Sequence, residues 1–181
     1  SPLCGGLPHL PRFGFRFGVI PTLDRVMWFG RGPHESYCDR KESAFVGRYE
    51  GSVDEQWVPY IRPQENGNKT DVRWMALVDR FGSGLMVCGS PLFEFSVHRY
   101  TAEQITAARH QTDLVPGDDL VVNIDLRHGG LGSNSCGPRP LPQYLLSPGP
   151  HTLSVRLRTV SGGTDGIQQS VQMMPARRRR R

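Results

Sequence analysis

Apolar residues in this chain recur at every second position far more often than at the 3.6-residue spacing of a helix, which narrows the folds open to it. The stretch PRFGFRFGVI puts Phe13, Phe15, Phe17 and Val19 on one side of an extended chain. TDVRWMALV places Val72 and Trp74 on one side. GLMVCG and PLFEFSVHRY follow, the second separating Leu92 from a face of Phe93, Phe95 and Val97. DLVVNIDL is almost wholly apolar, the pattern of a strand buried on both faces. HTLSVRLRTV alternates Leu153, Val155 and Leu157 with polar residues. Gly, Pro, Asn or Asp bounds each run. About six strands of this kind predict an all-β protein: a large, twisted, mostly antiparallel β-sandwich.

One segment departs from the pattern. In YTAEQITAARH, Thr101 is followed three residues later by Gln104, the spacing of a capping box, and then by good helix formers. At most one short helix is expected. The Asn-Gly pair in ENGN, residues 65–68, predicts a tight hairpin turn. From about residue 161, SGGTDGIQQSVQMMPARRRRR loses the alternation. The expected organisation is one folded domain over 1–160 and a disordered tail over 161–181 that ends in an Arg run.

The net charge of +5 comes from that run, Arg177 to Arg181. Without it the chain carries 17 basic and 17 acidic residues. A domain that neutralises phosphates carries its excess charge on the folded face, so no nucleic-acid partner is expected. No stretch reaches 18 apolar residues, so no membrane span is expected. The cysteines Cys4, Cys38, Cys88 and Cys136 are scattered and show no CxxC spacing. That pattern fits a reducing, cytoplasmic compartment and gives no zinc site.

Two segments are candidate sites. WFGRGPHESYCDRKES, residues 28–43, crowds a histidine, carboxylates and cations into a loop forced by Gly30, Gly32 and Pro33. Catalysis there requires a carboxylate pair, or a nucleophile with an oriented base. The structural alternative is that Glu35, Asp39, Arg40 and Lys41 neutralise one another and tie the loop down. GGLGSNSCGPRPLPQY, residues 129–144, is small and glycine-rich, which lets backbone approach a ligand closely. Cys136 has no Lys, Arg or His within two residues to depress its pKa, so it reads as a small apolar side chain rather than a nucleophile. The histidines His9, His34, His98, His110, His128 and His151 are dispersed, with no HxH or HExxH spacing.

Four stretches in order, WFGRGPHESYCDRKES, GRYEGSVDEQWVPYIRPQENGNKTDVRW, SVHRYTAEQITAARH and NIDLRHGGLGSNSCGPRPLPQY, resemble the C-terminal β-sandwich domain of the large retaining β-galactosidases. The resemblance runs from about residue 11 to 158. It implies a fold like that of the galactose mutarotases and a domain that packs on a catalytic barrel. In that family the two catalytic glutamates, and the magnesium and sodium ligands, lie outside the matching motifs. The resemblance therefore implies no catalytic residue and no cofactor in this chain, and Glu35, Glu42 and Glu65 are not a catalytic pair. WFGRGPHESYCDRKES becomes a structural signature. The implied partners are the remaining domains of a β-galactosidase, with the galactoside substrate at the domain edge.

The same resemblance assigns substrate contact to the glycine loop. Its position usually held by Trp beside the sugar corresponds to Cys136, with Asn134 and Ser135 able to add hydrogen bonds at the rim. Two other readings are a stand-alone carbohydrate-binding module using Trp57, Tyr60 and Trp74, and a truncated, catalytically dead homologue. Position in an alternating strand assigns Trp74 to the core.

Overall fold

A computed structural model describes residues 8–133, 137–162 and 165–167. Among the described residues there are seven strands: β1 (Arg12–Val19), β2 (Arg25–Gly32), β3 (Phe45–Ser52), β4 (Lys69–Val78), β5 (Gly84–His98), β6 (Leu120–His128) and β7 (Ser154–Val160). They form one antiparallel sheet in the order β1-β6-β5-β4-β2-β3, and β7 pairs with β5 beside β6. The all-β, antiparallel architecture expected from the alternation is present.

Two strands escaped the sequence reading. In β2, Val26, Met27 and Trp28 are all buried and Phe29 is half-buried, so no alternation marks it. β3 is an edge strand with Phe45 and Val46 exposed. Conversely, GLMVCG and PLFEFSVHRY are halves of the single 15-residue β5.

The sheet is apolar on both faces. Val26, Trp28, Met75, Leu77, Val87, Phe93, Phe95 and Val97 form the larger cluster, joined by Leu120, Val122 and Ile124 of β6. Met27, Trp74, Ala76, Val78, Met86, Cys88 and Val160 form the second, on the opposite face. Val72 and Trp74 were expected on one side and lie on opposite ones. The β4–β5 register slips between them, so the two-residue rule fails across the irregularity. DLVVNIDL is likewise less buried than expected: Val121 and Asn123 are half-exposed, because only one face of β6 meets the large core.

Helix α1 (Ala102–Ala107) begins as expected. Thr101 accepts from the Gln104 backbone N–H, and the Gln104 side chain accepts from the Thr101 N–H. Its Ile105 is buried.

The hairpin expected at ENGN does not form. The segment is an irregular entry to β4, with Asn66, Gly67 and Asn68 buried. Asn66 accepts from Val58 N–H and donates to Gln64 O, so it folds the preceding loop inward. Gly67 has φ +75°, and a Cβ there would lie 2.6 Å from both Gln56 O and His98. Close approach, rather than a two-residue turn, explains this glycine.

Past residue 160, where the folded domain was expected to end, a short stretch of chain is described. Residues 165–167 are helical, and Ile167 is buried in the second cluster. The rest of the expected tail, including Arg177 to Arg181, lies outside the described residues.

Candidate functional site

β6 delivers the chain into the glycine loop. At its end His128 is buried, its N–H donates to Glu94 Oε2 at 3.1 Å, and its ring Nδ1 lies 2.7 Å from Gly129 O. That ring packs edge-on against buried Tyr37, whose pKa burial raises well above its usual value.

Backbone bonds then set the loop's course. Gly129 N–H donates to Pro11 O and Gly130 N–H to Tyr144 O, each at 2.8 Å. Gly132 has φ +62° and donates its N–H to Asp39 Oδ2 at 2.7 Å. A Cβ at Gly130 would sit 2.9 Å from the Asp39 carboxyl carbon. Glycine is therefore required where this loop crosses the 28–43 segment. Gly132 itself is exposed, and so are Ser133 and Gly137 to Arg139 beyond the anchors. Asn134, Ser135 and Cys136 lie outside the described residues.

The 28–43 segment is tied down by charge, in part by the pairing expected. Arg40 meets Glu35 at 2.7 Å. Glu35 also accepts from Gly67 N–H at 2.7 Å and from the Tyr60 hydroxyl. Lys41 instead meets Asp71, at 3.1 Å, and Arg31 reaches the same carboxylate at 2.6 Å. Asp71 sits at φ +53° in the irregular start of β4, a conformation an aspartate tolerates better than most residues. Burial pushes its pKa up, but the hydrogen bonds from Arg31 and Lys41 outweigh burial and hold it below the usual value. Among the described residues Asp39 makes no ion pair, and it holds Gly132.

Between the two loops lies a cavity of about 480 Å³, lined in part by Cys38, Lys41, Asp71, Glu94, Arg127 and Tyr144. Glu94 was not singled out in the sequence. It is buried, and desolvation raises its pKa to about 7 although Asn68 Nδ2 and His128 N–H both donate to it. Burial likewise raises the Cys38 thiol, so it is no ready nucleophile. Lys69 is buried over the Trp28 ring at 5.3 Å, and desolvation lowers its pKa to about 8. The one available signal for these groups was a charged residue inside an apolar strand run, as in Phe93-Glu94-Phe95.

The carboxylates considered for catalysis are dispersed or occupied. Glu35 is held by Arg40, Tyr60 and Gly67, and Glu42 is exposed. Glu65 faces Arg12 at 3.5 Å, while Arg12 makes its main pair with buried Asp125. Among the described residues no group of three or more His, Cys, Asp or Glu side chains is arranged for a metal ion. No helix there is long and apolar enough to cross a membrane.

The aromatics of the binding-module reading are engaged elsewhere. Trp74 is buried. Trp57 packs edge-on with His98 and Tyr100, and its Nε1–H donates to Gln111. Tyr60 donates to Glu35.

Fold and site together define an all-β domain in which β6 leads into a glycine-rich loop. Residues 2–157 match the family described as Beta galactosidase small chain, and the chain belongs to that family. It is 40% identical over 157 residues to a β-galactosidase of Vibrio cholerae, covering 86% of this chain and 15% of that protein. It is 38% identical over 141 residues to one from Priestia megaterium, covering 77% and 14%. For an Arthrobacter β-galactosidase the identity is 37% over 163 residues, covering 87% and 16%. The chain thus spans about 15% of the length of these curated relatives.

Proposed function

We propose that this chain acts as the small-chain domain of a β-galactosidase-type glycoside hydrolase, which cleaves terminal β-galactosides such as lactose. The observation that carries the reading is the glycine loop. It is pinned at its base by Gly129, Gly130 and Gly132, and exposed beyond them. A loop so held can project side chains into a site completed by another domain.

Retaining hydrolysis needs an acid/base and a nucleophile about 5–5.5 Å apart. On this proposal a barrel segment outside this chain supplies both, together with any magnesium or sodium. This chain contributes a wall: Cys136 beside the acceptor sugar, and Asn134 and Ser135 at the rim. A Cys offers far less flat apolar surface than a Trp, so the acceptor subsite is more open.

The test is complementation. A β-galactosidase lacking its small-chain domain is assayed with a chromogenic β-galactoside, alone and with this chain. Restored turnover on mixing, with none from this chain alone, is expected. Turnover by this chain alone, or no restoration on mixing, overturns the proposal.

A further inference from the structure

We infer that β3 is a self-recognition edge. Two copies of this chain join antiparallel, β3 to β3, about a two-fold axis at Tyr49, so that Arg48 of each copy faces Glu50 of the other. This inference does not depend on the proposed activity.

The open edges of the sheet differ in charge. β1, β3 and β7 each have one edge with no strand partner among the described residues. Such an edge presents unpaired N–H and C=O groups to any strand that approaches. The charged residues of β1 are Arg12 and Arg16, and those of β7 are Arg156 and Arg158. A second copy of either strand brings cations against cations. β3, FVGRYEGS, carries one charge of each sign, Arg48 and Glu50. Both are exposed and lie on the second face. Arg48 sits 6.0 Å over the Phe29 ring, and Glu50 lies 3.7 Å from Arg25. Neither contact withdraws its charge from solvent.

The sequence of the strand then selects a register. A two-fold axis normal to the sheet keeps each face continuous, so opposed residues share parity. Centred on Arg48, the pairing sets that guanidinium against its own copy. Centred on Glu50, it does the same with the carboxylates. Centred on Tyr49, it sets Arg48 of each copy against Glu50 of the other. Directly opposed side chains lie about 5 Å apart at Cβ, within reach of an ion pair, and like charges so placed are destabilising. On the other face Tyr49 meets its own copy, an aromatic cross-strand pair. Sterics agree with this register, which opposes Gly47 and Gly51. A Cβ at Gly51 would lie 2.9 Å from Glu55 Oε2. A glycine facing it leaves that carboxylate room. The ladder stops at Ser52, whose N–H already donates to Glu55 Oε2 at 2.7 Å. Exposed Phe45 and Val46 add apolar surface at its ends. So short a ribbon makes a small interface, and the dimer is expected to be weak.

Sedimentation velocity of the full chain, from low to high micromolar concentration, is expected to show a monomer–dimer equilibrium. Arg48→Glu opposes Glu with Glu in both pairs, and Glu50→Arg opposes Arg with Arg. Each change alone is expected to weaken dimerisation by about tenfold. An equimolar mixture of the two variants pairs Glu with Arg throughout and is expected to recover the dimer. So is the double variant, Arg48→Glu with Glu50→Arg. Far-ultraviolet circular dichroism checks that each variant keeps its sheet. An unaltered chain that stays monomeric at every concentration overturns the inference, as does a dimer that neither single change weakens. A mixture no more dimeric than its two components overturns it as well.

Discussion

Asp39 Oδ2 accepts a 2.7 Å hydrogen bond from the backbone N–H of Gly132, across 93 residues of sequence. It joins the two segments that the sequence singled out separately. Asp39→Ala removes the acceptor and is expected to cost about 1 kcal/mol. Amide hydrogen exchange should quicken at Gly132 more than at Gly130, whose partner is Tyr144 O. Asp39→Asn keeps an acceptor oxygen and is expected to retain most of the protection. Equal loss over the whole loop under Asp39→Ala would mean that the bond does not set this crossing.

Glu94 gives a pH signature. Its pKa rises from 4.5 to about 7 on folding, chiefly through burial. Between those values the native chain binds more protons than the unfolded one, so this group's contribution to stability falls as pH rises from about 4.5 to about 7. Glu94→Gln imitates the protonated acid and can still accept from Asn68 and His128. Its melting temperature relative to the unaltered chain should therefore be higher at pH 8 than at pH 5. A difference independent of pH would show that Glu94 does not hold its proton in the fold.

Arg12 is expected to be the costliest cation to remove. It pairs with Asp125, which is only 2% exposed, and it bonds that carboxylate through both Nε and Nη2. Arg12→Met strands a buried carboxylate and should lower stability by about 3–5 kcal/mol in urea unfolding. Asp125→Asn within Arg12→Met should recover part of this loss. If the double variant is no more stable than the single one, the stranded charge was not the cause.

Cys136→Trp tests the wall reading in the complemented enzyme. A larger flat face beside the acceptor should tighten acceptor binding and lower KM for a disaccharide more than for a small chromogenic galactoside. Equal KM values for both substrates before and after the change would remove Cys136 from the acceptor subsite.

Much of the fold was legible because alternation is a local property. The Phe93, Phe95, Val97 face, the Thr101 capping box and the burial of Trp74 all appear where their spacing put them. The same rule failed where its period breaks. Val72 and Trp74 straddle a register slip. β2 has no alternation to read, because both of its faces are covered. The Asn-Gly pair at 66–67 carries a hairpin signal, yet its neighbours needed an inward loop, and burial of Asn66 and Asn68 prevailed. At the site, the glycine loop could be picked out by composition. Its anchor could not, since Asp39 was expected to join a local charge pairing and instead Lys41 turns to Asp71.

By itself, the sequence determined that this chain folds as strands, where the helix capped by Thr101 starts, and which family it belongs to. These follow from side-chain spacing and from motifs a few residues long. Tertiary structure alone decided which strands pair, that Glu94 and Lys69 lose their water, and that Asp39 reaches Gly132. Each depends on groups distant in the chain, and only folding sets which of them exclude solvent and which supply the bond.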